Sequence, residues 1–179
     1  MPYHPITEKI KELLTENNSW FETFEHEPVR TSEEASKVRP GYTADHGAKA
    51  IITRVKKPGK AKSTIVDRPT QTESEFRGKF FVMFVLQGSK KFDTGKIKEQ
   101  FGLTEVRFAT EEEVSQITGG ILPGGVPPFG NLFGLTVYAD NGLIQQEKIV
   151  FNAGDRSFSV GMKTRDYVKI VRPIIGSFI

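Results

Sequence analysis

The chain contains no cysteine, which removes disulfides, thiolate nucleophiles and cysteine-ligated zinc sites together. Histidine is scarce: His4, His26 and His46 stand about twenty residues apart and form no metal-ligand spacing, so no metal and no cofactor is expected. No apolar run approaches the length that spans a bilayer. The longest, Phe80–Leu86, suits a buried strand, and no membrane association is expected. The opening Met-Pro-Tyr-His-Pro lacks the basic-then-apolar order of an export signal, which predicts a cytoplasmic protein and makes the sequon Asn17-Asn18-Ser19 incidental. A Gly-x-Ser-x-Gly elbow is missing, and no Gly-Lys-Ser/Thr follows a glycine-rich loop, so an elbow-type serine hydrolase and a P-loop enzyme are set aside. The net charge of +3 permits a polyanionic partner without requiring one.

What remains is a chain of 179 residues, 37% hydrophobic with 14 phenylalanines, enough for one domain spanning residues 1–179 with a substantial core. Ile6, Ile10, Leu13 and Leu14 recur at helical spacing behind Pro5 and predict an amphipathic opening helix. Thr31-Ser32-Glu33-Glu34 and Thr110-Glu111-Glu112-Glu113 have the form of capping boxes, in which the threonine hydroxyl and the later glutamate satisfy each other's free N–H groups. The first of these helices is expected to stop near Arg39-Pro40-Gly41, the second near Thr118. Strand signals fall at Trp20–His26, Ala48–Val55, Lys79–Gln87, Phe133–Ala139, Leu143–Asn152 and Ser157–Met162, with Asp140-Asn141-Gly142 expected as a hairpin turn and Lys163–Val171 as a closing helix. Interspersed strands and helices predict an α/β fold: a mixed sheet with helices packed around it.

Three features carry candidate chemistry. Lys56, Lys57, Lys60 and Lys62 cluster around Pro58-Gly59; they form either a solvated loop or a phosphate-contacting arm. Lys49 sits in a strand whose two faces are largely apolar, so its ammonium must be paired, snorkel to solvent, or meet an anionic or electron-rich ligand. The segment Gly119–Gly130 combines glycines, which open unusual backbone conformations, with prolines, which restrict the rest. It is either a connection with unusual turns or a shaped loop whose N–H groups hold a carbonyl oxygen and the charge developing on it. His26, at a strand end, lacks an orienting partner in sequence and is by itself a poor catalytic signal.

The order of the motifs is distinctive: His26-Glu27-Pro28, Thr31-Ser32-Glu33-Glu34-Ala35, Gly47-Ala48-Lys49-Ala50-Ile51, Thr118-Gly119 through Gly124-Gly125-Val126-Pro127-Pro128-Phe129-Gly130, then Phe151-Asn152-Ala153-Gly154. In this order and spacing the chain resembles the YbaK/ProX family of free-standing aminoacyl-tRNA deacylases, which is similar to the editing insertion domain of bacterial prolyl-tRNA synthetase. The resemblance covers about residues 20–172. It implies a mixed, partly barrel-like sheet flanked by helices, and a hydrolase that clears a mischarged tRNA in trans: tRNA(Pro), or a tRNA carrying a small wrong amino acid. Lys49 corresponds to the family's characteristic lysine and Gly124–Pro128 to its Gly-x-x-x-Pro loop.

The resemblance further implies substrate binding by Gly124, Gly125, Val126, Pro127 and Pro128, and by Phe24, His26, Thr31, Asn152 and Gly154. The implied partners are the acceptor end of an aminoacylated tRNA and an aminoacyl-tRNA synthetase. Phe24 stands where cysteine-clearing relatives carry tyrosine, and Ala50 where alanine-clearing relatives carry asparagine, which leaves a serine or threonine ester open. The stretch from Lys56 to Arg77 is longer than the family's usual connection. Two rival readings are a non-catalytic module that binds aminoacyl-tRNA or a synthetase through the same pocket, and an enzyme acting on another small acyl ester.

Overall fold

The computed structural model describes residues 3–57 and 79–179. Among them are two sheets. One is antiparallel, with strand order β1 (Phe21–Glu25), β7 (Phe158–Lys163), β6 (Lys148–Asp155). The other is mixed and five-stranded, in the order β4 (Glu105–Phe108), β2 (Ala48–Lys56), β3 (Lys79–Gln87), β5 (Val137–Asp140), β8 (Ile174–Gly176). In it β4, β2 and β3 run antiparallel, whereas β3, β5 and β8 run parallel. A bridge between Gly47 and Val150 joins the sheets into the expected mixed, partly barrel-like arrangement. Around them pack helices α1 (Pro5–Glu16), α2 (Ser32–Lys37), α3 (Thr94–Gln100), α4 (Glu111–Thr118), α5 (Asn141–Ile144) and α6 (Thr164–Val171). None of the helices among the described residues is long and apolar enough to cross a membrane.

The continuous apolar run of β3 is explained by its central place. Phe81, Met83 and Val85 enter one core with Ile52, Phe129 and Phe151, while Phe80, Val82, Phe84 and Leu86 enter another with Ile97, Phe101 and Tyr138. A strand covered on both faces has no polar alternation to show. Helix α1 lays Ile6, Ile10 and Leu14 on the first core, and the imidazole of His4 accepts from the Ile6 amide at its start.

Some expectations are corrected. Asp140-Asn141-Gly142 is not a hairpin turn: an Asp140 carboxylate oxygen accepts from the Gly142 amide at 2.9 Å and starts α5, and the strand after it, β6, belongs to the other sheet. The strand expected from Phe133 begins only at Val137, because Gly130–Phe133 forms a 3₁₀ turn. Helix α3 and strands β4 and β8 were not anticipated; they are short, and their apolar positions are too few to set a period.

Helix α4 sets the start of the Gly/Pro-rich loop: it ends at Gly119, φ +76°, and the left-handed turn there releases the chain into that segment. Both capping bonds of its box are present, and Arg107 adds two charge-assisted bonds to Glu113, at 2.7 and 3.0 Å. Arg107, with the Thr110 N–H behind it, holds the Glu113 pKa down to about 2. The unfolded carboxyl titrates near about 4.3, so this stabilisation is complete above that pH and is lost as pH falls through the folded value. Allowing for solvent screening of the partly exposed pair, it amounts to about 1–2 kcal/mol. Glu113→Gln should therefore lower the unfolding free energy by about that much at neutral pH, with the deficit closing towards pH ~2; a deficit independent of pH in chemical denaturation would refute this.

Candidate active site

The segment Pro123–Pro128 is shaped by bonds to its carbonyls. Arg156 donates to the Pro123 oxygen from Nε at 2.8 Å and from Nη2 at 2.5 Å. The Asn152 amide donates to the Gly124 oxygen at 2.7 Å, the Gly154 N–H to the Gly125 oxygen at 2.8 Å, and the Tyr167 hydroxyl to the Pro128 oxygen at 2.7 Å. In a trans peptide the C=O of one residue and the N–H of the next point opposite ways. Tying down Pro123 and Gly125 thus turns the N–H groups of Gly124 and Val126 away from Arg156 and Gly154. Among the described residues, neither of these N–H groups makes a hydrogen bond, whereas that of Gly125 is spent on Leu122 at 2.9 Å. Gly124 needs its glycine: its φ is +90°, and a Cβ would lie 3.1 Å from Arg156 Nε.

Gly124 and Val126 line a cleft of about 150 Å³, together with Thr31, Arg39, Lys49 and Asn152. Two unengaged N–H groups on one wall can hold a carbonyl oxygen or the oxyanion formed from it. The cleft's other side chains follow from local structure. Thr31 is the N-cap of α2, its hydroxyl oxygen accepting from the Glu34 amide at 3.1 Å. Asn152 lies on β6, just before the irregular pairing that accommodates Gly154.

Behind Asn152 stands Arg39, only 6% exposed and not anticipated from the sequence, where it read as the end of a helix. Its Nη2 donates to Asn152 Oδ1 at 2.6 Å and its Nε to Ser159 Oγ at 2.9 Å. The guanidinium fixes which end of the Asn152 amide is oxygen, and so presents Nδ2 to Gly124. Among the described residues no carboxylate forms an ion pair with Arg39. Burial alone draws its pKa down to about 10, which leaves it charged at neutral pH.

Lys49 lies on β2 opposite Leu86, on the strand face of Ile51. It lines the cleft, but its ammonium is bound by the Lys90 carbonyl at 2.6 Å rather than by the loop. Half-burial lowers its pKa from the ordinary lysine value. The other sequence candidates lie around the cleft rather than in it. His26 Nδ1 faces the Glu27 carbonyl at 2.8 Å and so carries a hydrogen, while Nε2 sits 2.7 Å from Ser159 Oγ. The Phe24 ring packs edge-on against Tyr42. Gly125 and Gly154 line a second cavity of about 460 Å³ on the Arg156 side of the loop, and Pro127 and Pro128 are buried. Lys56 ends β2 and Lys57 follows it, with its ammonium 5.2 Å from the Phe80 ring centre; Lys60 and Lys62 lie outside the described residues. No sequence signal marked Arg39, Ser159 or Arg156, because their roles depend on pairings between distant elements.

The chain is similar to known proteins in sequence and in fold. The chain is 28% identical over 172 residues to the multifunctional Ser/Thr-tRNA deacylase ProXp-y of Escherichia coli K12, covering 96% of this chain and 91% of that protein. The O157:H7 strain's ProXp-y matches to the same extent. The fold superposes with a TM-score of 0.70 on a crystal structure assigned to a trans-editing enzyme for prolyl tRNA synthetase, at 20% identity and 98% coverage of both chains. The aminoacyl-tRNA editing domain model matches residues 26–170, and the chain belongs to that family.

Proposed function

We propose that this protein is a trans-editing deacylase that hydrolyses the ester between a small, wrong amino acid and its tRNA. The observation that carries the reading is the pair of unengaged N–H groups, Gly124 and Val126, in the cleft that Lys49 also lines. These donors hold the ester carbonyl and gain strength as it becomes a tetrahedral oxyanion. Water is the nucleophile, positioned by the substrate's own groups; the Thr43 hydroxyl beside the cleft lies 3.1 Å from His46 Nδ1, but that nitrogen already accepts from the Thr43 N–H at 2.9 Å and serves the local turn. The Lys49 ammonium lies with Lys90 at the edge of the cleft, where it orients the terminal adenosine through its phosphate or ribose.

Size supports a small aminoacyl group. The cleft's volume of about 150 Å³ is below the ~300–1,000 Å³ of sites that enclose drug-sized ligands. The relationship to ProXp-y, named as a Ser/Thr-tRNA deacylase, favours seryl and threonyl esters over the mischarged tRNA(Pro) also expected from the sequence. Phe24, His26 and Gly154 support the cleft from behind rather than touching the substrate, and Thr31 and Asn152 form its wall. Lys56 stands seven residues along β2 from Lys49, roughly 23 Å at the usual rise, so it and Lys57 serve the body of the tRNA rather than its terminal adenosine. A tRNA substrate is in keeping with a cytoplasmic protein.

A panel of seryl-, threonyl-, alanyl- and cysteinyl-tRNAs tests the assignment: at least one should lose its amino acid catalytically, and a protein that protects all of them is a binding module. On the best substrate Lys49→Ala should lower kcat/KM by about 10²-fold or more, since misplacing the reacting ester costs on that order; near-wild-type turnover would sink the role given to Lys49. Asn152→Asp separates loop geometry from stability. The carboxylate would pair with Arg39 and preserve the fold, but it would replace the bond to the Gly124 carbonyl by oxygen–oxygen repulsion. Thermal unfolding should stay near wild type while kcat falls by about tenfold or more; unchanged kcat would show that Asn152 does not position the loop.

A further inference from the structure

Lys49, Ile51 and Thr53 share one face of β2, since alternate side chains of a strand point the same way. Phe108 pairs with Thr53 across β4 and so falls on the same face, about 13 Å along the strand from Lys49. The space between is bridged. The Lys49 ammonium binds the Lys90 carbonyl, Gly88 lines the cleft, and the Phe92 ring lies 5.6 Å from that of Phe108 and 5.3 Å from that of Phe84 beneath. The strip is firmly seated: the Gly88 N–H donates to Gly47 at 2.8 Å, and Ser89 to Asp45 at 2.5 Å. Its outward groups are the exposed ammonium chains of Lys90 and Lys91 and the Phe108 ring, 52% exposed although large and apolar.

We infer that this strip, Lys90–Phe92 with Phe108, is the landing surface for the single-stranded 3′ end of the tRNA. An inference resting on the deacylase reading, it adds where the strand runs. Alternating cations and exposed aromatic rings are how proteins track a single strand without reading its sequence: the ammonium groups take phosphates and the rings take base faces. The strip starts at the lip of the cleft and on the face of Lys49, so a strand that delivers its terminal ester to Gly124 and Val126 leaves over Lys90 and Lys91 towards Phe108. Among the described residues, neither Lys90 nor Lys91 forms an ion pair, the nearby Asp45 carboxylate holding Ser89 instead and Asp93 capping α3 by accepting from the Lys96 amide.

The test compares Lys91→Ala and Phe108→Ala with wild type on two substrates, the best-cleaved aminoacyl-tRNA of the seryl, threonyl, alanyl and cysteinyl panel and the same aminoacyl ester of adenosine, which lacks every 5′ nucleotide. Each variant should raise KM for the tRNA by about 5–10-fold with kcat nearly unchanged, and should cleave the adenosine ester as wild type does. Lys91→Ala should also reduce the log–log salt dependence of uncharged tRNA binding by about 0.7. Unchanged KM and unchanged tRNA binding in both variants would overturn the inference and leave the patch to a protein partner. An equal loss on both substrates would overturn it too, because the residues would then be shaping the cleft. Should wild type cleave neither substrate, the deacylase reading fails, while weaker binding of uncharged tRNA by the variants would still establish the surface.

Discussion

A peptide plane has two polar ends, so a protein that binds one end decides where the other points. In this chain the carbonyls of Pro123, Gly124, Gly125 and Pro128 are each held by a donor from β6, from the turn after it or from α6. The donors are as varied as a guanidinium, a side-chain amide, a backbone N–H and a phenol. Their common effect is a glycine-rich loop with few alternatives, although glycine alone would make it the most permissive stretch of the chain. A donor fixed before the reaction needs no reorganisation when charge appears on the substrate, which is why such positioning is effective in catalysis. The remaining architecture serves this requirement. Gly154 donates to Gly125 from a φ of +98°, and only glycine fits there, because a Cβ would collide with Ile6 of α1.

The second constraint is charge. Arg39 is buried among neutral oxygens, an arrangement that costs folding free energy unless something compensates the guanidinium. Among the described residues, those lining the cleft include Arg30, Arg39 and Lys49 but no carboxylate. Such a cleft is well adjusted to a nucleotide's phosphate or a developing oxyanion. The composition of the whole chain, with a net charge of only +3, conceals this local excess.

Much of the fold could be read from short-range chemistry. Both capping boxes, the proline at the start of α1 and the doubly buried β3 are written in consecutive residues, and each appears where those residues stand. The failure at Asp140-Asn141-Gly142 is equally local in origin. The same three residues suit a tight hairpin and a helix start, and the choice between them is made by the sheet that β6 joins. At the candidate site, Lys49 and Gly124 were legible because a lysine in an apolar strand and a Gly/Pro-rich loop are each unusual by themselves. Arg39, Ser159 and Arg156 were not, since an arginine near a proline or in a turn has nothing unusual about it until residues 33 to 120 positions apart are brought together. Which loop N–H groups stay unengaged was illegible for the same reason: it depends on Leu122 taking the Gly125 amide, and on where Arg156 and Gly154 come to rest.

Strand alternation also divides the labour proposed for β2. Ala48 and Ile52 enter the core beside the loop and Phe151, with Ala50 packed against it, whereas Lys49 is carried to the face of Ile51 and Thr53. Small side chains on one face leave room for the cleft beside Val126 and Phe151, while the lysine between them is sent to the rim. A one-residue slip in register would exchange these roles, closing the cleft with a lysine stem and burying its charge. The nine consecutive pairs between β2 and β3, from Ala48 with Gln87 to Lys56 with Lys79, make such a slip costly, because it would turn every apolar residue of β2 to the wrong core. The same pairing that buries Ile52 and Val55 therefore keeps an ammonium group at the edge of the cleft, where a nucleic acid strand can reach it.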